Sequence, residues 1–171
     1  NIFLKGKSNY PEIILTITDD NTTSSTKVRY IENKTTGLDV GSDIGTFTGV
    51  SSNLKVFTHL LSDNKGVDFA IQALPNSNYE NMVIPVGVNA KANKEVIFSL
   101  NASNFPSNMK IVLEDKKTNT FTRLDEVNVN YKITPNEDLN GVGRFFIHTS
   151  TGVLSTDDIN LSNVNVYTFN N

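Results

Sequence analysis

Apolar and polar residues alternate in short runs along this chain, and clusters of turn-forming residues separate the runs. EIILTIT (12–18) stops at Asp19-Asp20-Asn21, and STKVRYIE (25–32) stops at the stretch from Asn33 to Gly37. LKVFTHL (54–60) and VDFAIQAL (67–74) flank Ser62-Asp63-Asn64-Lys65-Gly66, which predicts a hairpin. MVIPVGV (82–88) contains Pro85. A proline has no N–H to give a ladder, so an edge or bulge is expected there. KEVIFSLNA (94–102) alternates again; MKIVLED (109–115) and TFTRL (120–124) form a second hairpin around Lys116-Lys117-Thr118-Asn119. EVNVNYKIT (126–134) and GRFFIHT (143–149) complete the series.

No window keeps the i, i+3, i+4, i+7 spacing of an amphipathic helix. About ten short strands at roughly ten-residue spacing predict an all-β fold, an antiparallel two-sheet β-sandwich of Ig-like or jelly-roll-like form. The alternation assigns one face to a core of Ile13, Leu15, Ile17, Val28, Tyr30, Val56, Phe69, Ile71, Val96, Phe98, Leu100, Val112, Tyr131, Ile133, Phe145 and Ile147. The sandwich is expected to occupy residues 1–149, with STGVLSTDDIN (150–160) as a linker. LSNVNVYTFNN (161–171) then reads as one more strand with no sequence after it to pair with. A lone strand is unstable in water and needs a partner edge. The chain opens at Asn1 with no initiating Met or leader, which reads as a fragment of a longer protein.

A chain of 171 residues can bury a core without staples, and it holds no cysteine, which excludes disulfides, thiolate metal sites and a cysteine nucleophile. Fifteen basic and 18 acidic residues are scattered without a Lys/Arg block, so a nucleic-acid footprint is not expected. No apolar run has the ~20 residues of a membrane span. Asn, Thr and Ser are abundant and Lys outnumbers Arg, a surface common among secreted bacterial β-proteins.

Candidate chemistry is sparse. The two histidines, His59 and His148, each lie in a predicted strand, where structural roles prevail over catalytic ones. The nucleophile-elbow, HExxH, P-loop and dinucleotide-binding patterns are all missing. A non-catalytic domain is therefore expected; a carboxylate pair or a His–carboxylate pair inside one pocket would argue otherwise. GLDVGSDIGTF sets Asp39 and Asp43 among glycines, a possible oxygen-rich calcium loop without EF-hand spacing, or else a turn in which Asp binds backbone N–H groups. TDDNTT (18–23) and TDDIN (156–160) read as solvated turns, and the N-x-S/T triplets at Asn21, Asn33, Asn101 and Asn160 carry little weight in so Asn-rich a chain. Tyr10, Tyr79 and Phe105 fall near loops, where a ring can stack on a surface glycan or plug the end of the sandwich.

Several segments stand in a recognisable order: STKVRYIENKTTGLDVGSDIGTF, LKVFTHL, VDFAIQALP, VIPVGV, MKIVLEDKKTNTFTRLDE, YKITPNED and GRFFIHT. Over roughly residues 25–149 this order resembles the β-sandwich domain that precedes the C-terminal sorting domain in cargo proteins of the Bacteroidetes type IX secretion system. The family's T-G-F-D-x-G-x-D block falls on Thr36, Gly37, Leu38, Asp39, Gly41 and Asp43. Its L-A-I-N-x-L-P falls on Phe69 to Pro75, with Gln72 in place of Asn, and I-P-L-G on Ile84 to Gly87. V-x-L-E-D falls on Val112 to Asp115, one residue shorter, and R-F-x-L on Arg144 to Ile147. Gly45-Thr46-Phe47 and Leu38 depart from the pattern.

The resemblance implies a secreted or cell-surface, adhesin-like protein exported across the outer membrane. Residues 161–171 then look like the first strand of a truncated type A sorting domain. Leu161, Val164, Val166, Tyr167 and Phe169 would be the positions that meet the outer-membrane shuttle and translocon. A carbohydrate- or surface-binding module, calcium-assisted through Asp39 and Asp43, is the alternative.

Overall fold

The computed structural model describes residues 9–47 and 52–152. Eleven strands follow one another: β1 (Glu12–Thr18), β2 (Thr23–Ile31), β3 (Ile44–Gly45), β4 (Lys55–Thr58), β5 (Phe69–Pro75), β6 (Val83–Asn89), β7 (Val96–Ser103), β8 (Lys110–Asp115), β9 (Thr120–Arg123), β10 (Tyr131–Ile133) and β11 (Phe145–Ser150). One turn of 3-10 helix, Tyr79–Asn81, lies between β5 and β6. Pairing runs β10-β7-β1-β2-β5-β4-β6-β11-β8-β9, with β3 on β5. The sheet curls back on itself. Phe98 of β7 and Phe145 of β11 meet across the interior at 4.9 Å between centroids, and the Tyr131 hydroxyl on β10 donates to Asp115 at the end of β8 (2.7 Å).

The expected alternation appears most plainly in β1, where Ile13, Leu15 and Ile17 are buried between half-buried neighbours. Twelve of the sixteen predicted core residues are buried; Ile71, Leu100, Tyr131 and Ile133 are only half-buried. Leu54, Leu74, Ile84, Val86, Val88, Ile111, Leu113 and Leu124 join the core as well. Most of these stand in runs that are apolar on both faces, where a period of two is hidden.

Three expectations are corrected. The Pro85 strand is central, since β6 pairs with β4 on one side and β11 on the other. Backbone N and O of one strand residue point the same way, and the Pro85 carbonyl accepts from His59 N (3.2 Å). The missing N–H of Pro85 thus faces the side where β4 has already ended at Thr58. Secondly, β4 and β5 do not form a hairpin. They meet only at Thr58↔Phe69, while β5 runs parallel to β2 over five residue pairs. Finally, EVNVNYKIT is strand only at Tyr131–Ile133. Its first half turns at Asn128, whose φ of 63° breaks the extended path and leaves Val127 in solvent.

The Asn-rich composition has a backbone cause. Among the described residues, all seven non-glycine positions with positive φ are Asn or Asp (33, 63, 78, 93, 104, 119 and 128), the side chains that best tolerate the left-handed region. Gly87 answers a different need: a Cβ there would overlap the ring of Phe57 on β4. At one end of the fold Tyr30 is fully buried, with Tyr79 and Phe105 packed on it at 5.3 and 5.5 Å. Tyr30 N donates to Pro11 O (2.9 Å), and Thr149 Oγ1 donates to Tyr79 O, so the start of β1 and the close of β11 share this end.

Candidate functional site

The opposite end carries a groove of about 470 Å³ between the 116–119 turn and the 137–143 loop. Arg144, one of its lining residues, belongs to a charged network built from distant segments. Asp115 closes β8 and its Oδ1 accepts from Lys117 N (3.0 Å), which sets the turn into β9. Arg144 precedes β11 and donates Nε and Nη2 to the two oxygens of Asp115 at 2.8 and 2.7 Å. Asp115 is fully buried, whereas the Arg144 side chain keeps 17% of its exposure.

Burial alone would raise the Asp115 pKa. Hydrogen bonds from Arg144 and Tyr131, the Arg144 charge and the Lys117 N–H overcome that and hold the carboxyl below its usual range. Burial, reinforced by the neighbouring carboxylate, raises the Tyr131 phenol. A carboxylate so saturated with donors is a poor base; its chemistry is to fix a guanidinium in one plane.

Around the groove, Lys117 pairs with Glu137 (2.6 Å) and Lys91 with Asp138 (2.7 Å), all solvent-exposed. Lys116 lies 4.1 Å over the Phe146 ring. The walls thus offer donors and acceptors, but the aromatic side chain lining them, Phe145, is 1% exposed and gives a sugar no face. Nor do the rings expected near loops stand free. Tyr79 and Phe105 plug the Tyr30 end, and Tyr10 is half-buried with the Arg29 guanidinium 5.9 Å from its centroid.

Both histidines are paired with carboxylates. His59 Nε2 lies 3.0 Å from Asp68 Oδ1, and its Nδ1 lies 2.7 Å from Asn64 Nδ2. With the amide donating to Nδ1, Nε2 carries the proton and donates to Asp68, which also binds Lys55 (3.0 Å). His148 Nε2 lies 2.7 Å from Glu114 Oε2, beside the Phe121 ring. Neither pair lines the groove, and among the described residues no hydroxyl is hydrogen-bonded to either ring.

The Asp39–Asp43 loop is likewise closed on itself. Asp39 Oδ2 accepts from Thr35 N (2.7 Å) and Thr35 Oγ1 (3.2 Å). Asp43 accepts from Asp39 N (2.6 Å) through one oxygen and from Ala73 N of β5 (2.7 Å) through the other. These are the bonds of a turn tied to a strand, and among the described residues no group of three or more His, Asp or Glu side chains gathers as a metal site. The Asp19 turn follows the same rule, with Oδ1 accepting from Asn21 N and Thr22 N, which lowers its pKa.

A scan against protein-family models finds no match, and neither the curated proteins nor the solved structures return one. Leu161, Val164, Val166, Tyr167 and Phe169, with the 153–160 part of the expected linker, lie outside the described residues. Sequence reasoning did not anticipate the Asp115–Arg144–Tyr131 network. Its signal was present in two separate blocks, the Glu-Asp that ends one strand and the Arg that opens another.

Proposed function

We propose that residues 9–152 form a non-catalytic platform domain of an exported, cell-surface protein, handled by a type IX secretion system. One observation carries the reading. The blocks that resemble the family fall on the residues that hold this fold rigid: Asp39 and Asp43 pin a loop to β5, Gly87 admits Phe57, and Asp115 locks Arg144. A folded cargo domain has to be compact, self-sufficient and resistant to edge pairing. The strands at the margins of the sheet fit that need, with two residues in β3, four in β9 and three in β10.

The finer architecture we propose is a two-sheet sandwich, β10-β7-β1-β2-β5-β3 facing β4-β6-β11-β8-β9. Its seam is the single Thr58↔Phe69 pair, bridged as well where Val56 N of β4 donates to Ser24 Oγ of β2. On this reading residues 161–171 belong to the segment read by the shuttle and translocon.

The test is a fluorescent reporter joined ahead of the complete C-terminal region, expressed in a type IX-competent bacterium and in its translocon-deficient mutant. Surface reporter in the competent strain alone is expected. Equal retention in both strains would overturn the proposal.

A further inference from the structure

An asparagine followed by glycine is open to self-modification, because the glycine N can attack the asparagine side-chain carbonyl carbon with no side chain of its own in the way. Asn140-Gly141 is the one Asn-Gly step in the sequence. It lies in the loop that walls the groove, and Asn140 is exposed to the water that the reaction consumes. The fold has a backbone reason for the glycine: Gly141 has a φ of 89°, which a side chain would strain. The loop therefore carries the labile step as a condition of its shape.

The end of β6 holds that step from both sides. Gly141 N donates to Asn89 Oδ1 (2.9 Å), and Gly141 O accepts from Val88 N (2.9 Å). Just before Asn140, Leu139 and Ala90 exchange both backbone bonds (2.9 and 3.1 Å). Deamidation needs the Gly141 N to lose its proton and turn its lone pair onto Asn140 Cγ. The N–Cγ bond then forms, the Cγ–Nδ2 bond breaks, and the amide nitrogen leaves as ammonia. Water opens the resulting succinimide at either carbonyl, giving aspartate or isoaspartate. The sum is one amide plus water to one carboxyl group plus ammonia, with nothing oxidised or reduced. An N–H already donating to Asn89 gives up its proton less readily, and the Val88 bond keeps the peptide plane from rotating toward Asn140.

We propose that Asn140 is a latent deamidation site and that Asn89 is the positioning residue that holds it back. When that hold fails, a carboxylate joins Lys117 and Arg144 among the groove's lining residues. An isoaspartate would also lengthen the backbone where β6 grips the loop.

The experiment ages the full chain in mildly alkaline buffer and measures aspartate and isoaspartate at each asparagine by peptide mass spectrometry. Unfolded in urea, Asn140 is expected to react faster than every other asparagine. In the folded domain it should react at least tenfold more slowly, both in wild type and in Asn89→Asp, which keeps the acceptor. Asn89→Leu should speed the folded reaction about tenfold, as the loss of one hydrogen bond gives. Hydrogen exchange at Gly141 N should accelerate with it while exchange at Leu139 N stays slow. Equal rates at Asn140 in the folded and unfolded chain, or an Asn89→Leu variant no faster than wild type, would overturn the proposal. So would an acceleration that comes only with faster exchange at Leu139 N, since the protection would then belong to the loop as a whole.

Discussion

Replacing Asp115 with alanine tests whether the Asp115–Arg144 pair holds the groove end together. The substitution leaves the Arg144 guanidinium without its bidentate acceptor, and it removes the acceptor for the Tyr131 hydroxyl and Lys117 N. Breaking a buried ion pair by deleting one partner costs about 3–5 kcal/mol. Arg144 retains 17% side-chain exposure and can recover some hydration, which points to the lower figure, about 3 kcal/mol. Against a total stability of about 5–15 kcal/mol that is a large fraction. At about 2–4 °C per kcal/mol for a domain of this size, the melting temperature should fall by roughly 6–12 °C.

Urea denaturation followed by far-ultraviolet circular dichroism measures the loss. A double variant, Asp115→Leu with Arg144→Met, should recover most of it, because it leaves no unpaired charge behind. The acid limb supplies an independent check. The carboxyl titrates lower in the fold than its ordinary 3.8, so the unfolded chain binds its proton first as pH falls. The pair's contribution is therefore complete above about pH 4 and is lost as pH drops through the folded-state pKa, and the gap between wild type and Asp115→Ala should close there. A cost below about 1 kcal/mol, or a double variant no better than the single one, would refute the reasoning.

Other expectations follow from single contacts. Gln72 is fully buried and, among the described residues, neither of its amide atoms has a hydrogen-bond partner, so Gln72→Met should stabilise the domain by about 1–2 kcal/mol in the same denaturation assay; a loss would mean that the amide is satisfied. Gly87→Ala forces a methyl group into the Phe57 ring and should cost about 1–3 kcal/mol, with partial rescue in a Phe57→Leu background by differential scanning calorimetry. Asp43→Ala removes the acceptor of Ala73 N, and hydrogen exchange at that amide should accelerate at least tenfold. Calcium and chelator should leave the melting temperature unchanged; a calcium-dependent rise of several degrees would assign an ion to Asp39 and Asp43 by mass action.

The fold was legible where one side of a strand is wet. β1 alternates along its whole length and β7 over Val96–Ser99, and their bounds came close to those expected. β6 and β8 are buried on both faces over consecutive residues, so they are apolar without a period, and the proline rule misplaced β6 because it ignores which side of a strand needs the donor. The parallel β2–β5 pairing was illegible, since it depends on the chain between them crossing over through the pinned 33–47 loop. The groove network was hidden for a related reason. Asp115, Tyr131 and Arg144 are brought together by topology rather than by spacing, and each alone resembles an ordinary charged or half-buried residue. Asp39 and Asp43 were visible as a special pair, and of the two readings left open the described bonds follow the turn.

The meeting of Pro11, Tyr30 and Thr149 at one end has a mechanical meaning. Pro11 and Thr149 therefore lie at the same end, so the folded domain adds little to the length of a polypeptide pulled through these two points. Under such a pull it would hang beside the line of force, with the Arg144 groove at the far end. A tension strong enough to unravel it would release roughly 140 residues, on the order of 450–500 Å of extended chain. The domain would then act as stored slack, lengthening a tether under load instead of letting it break.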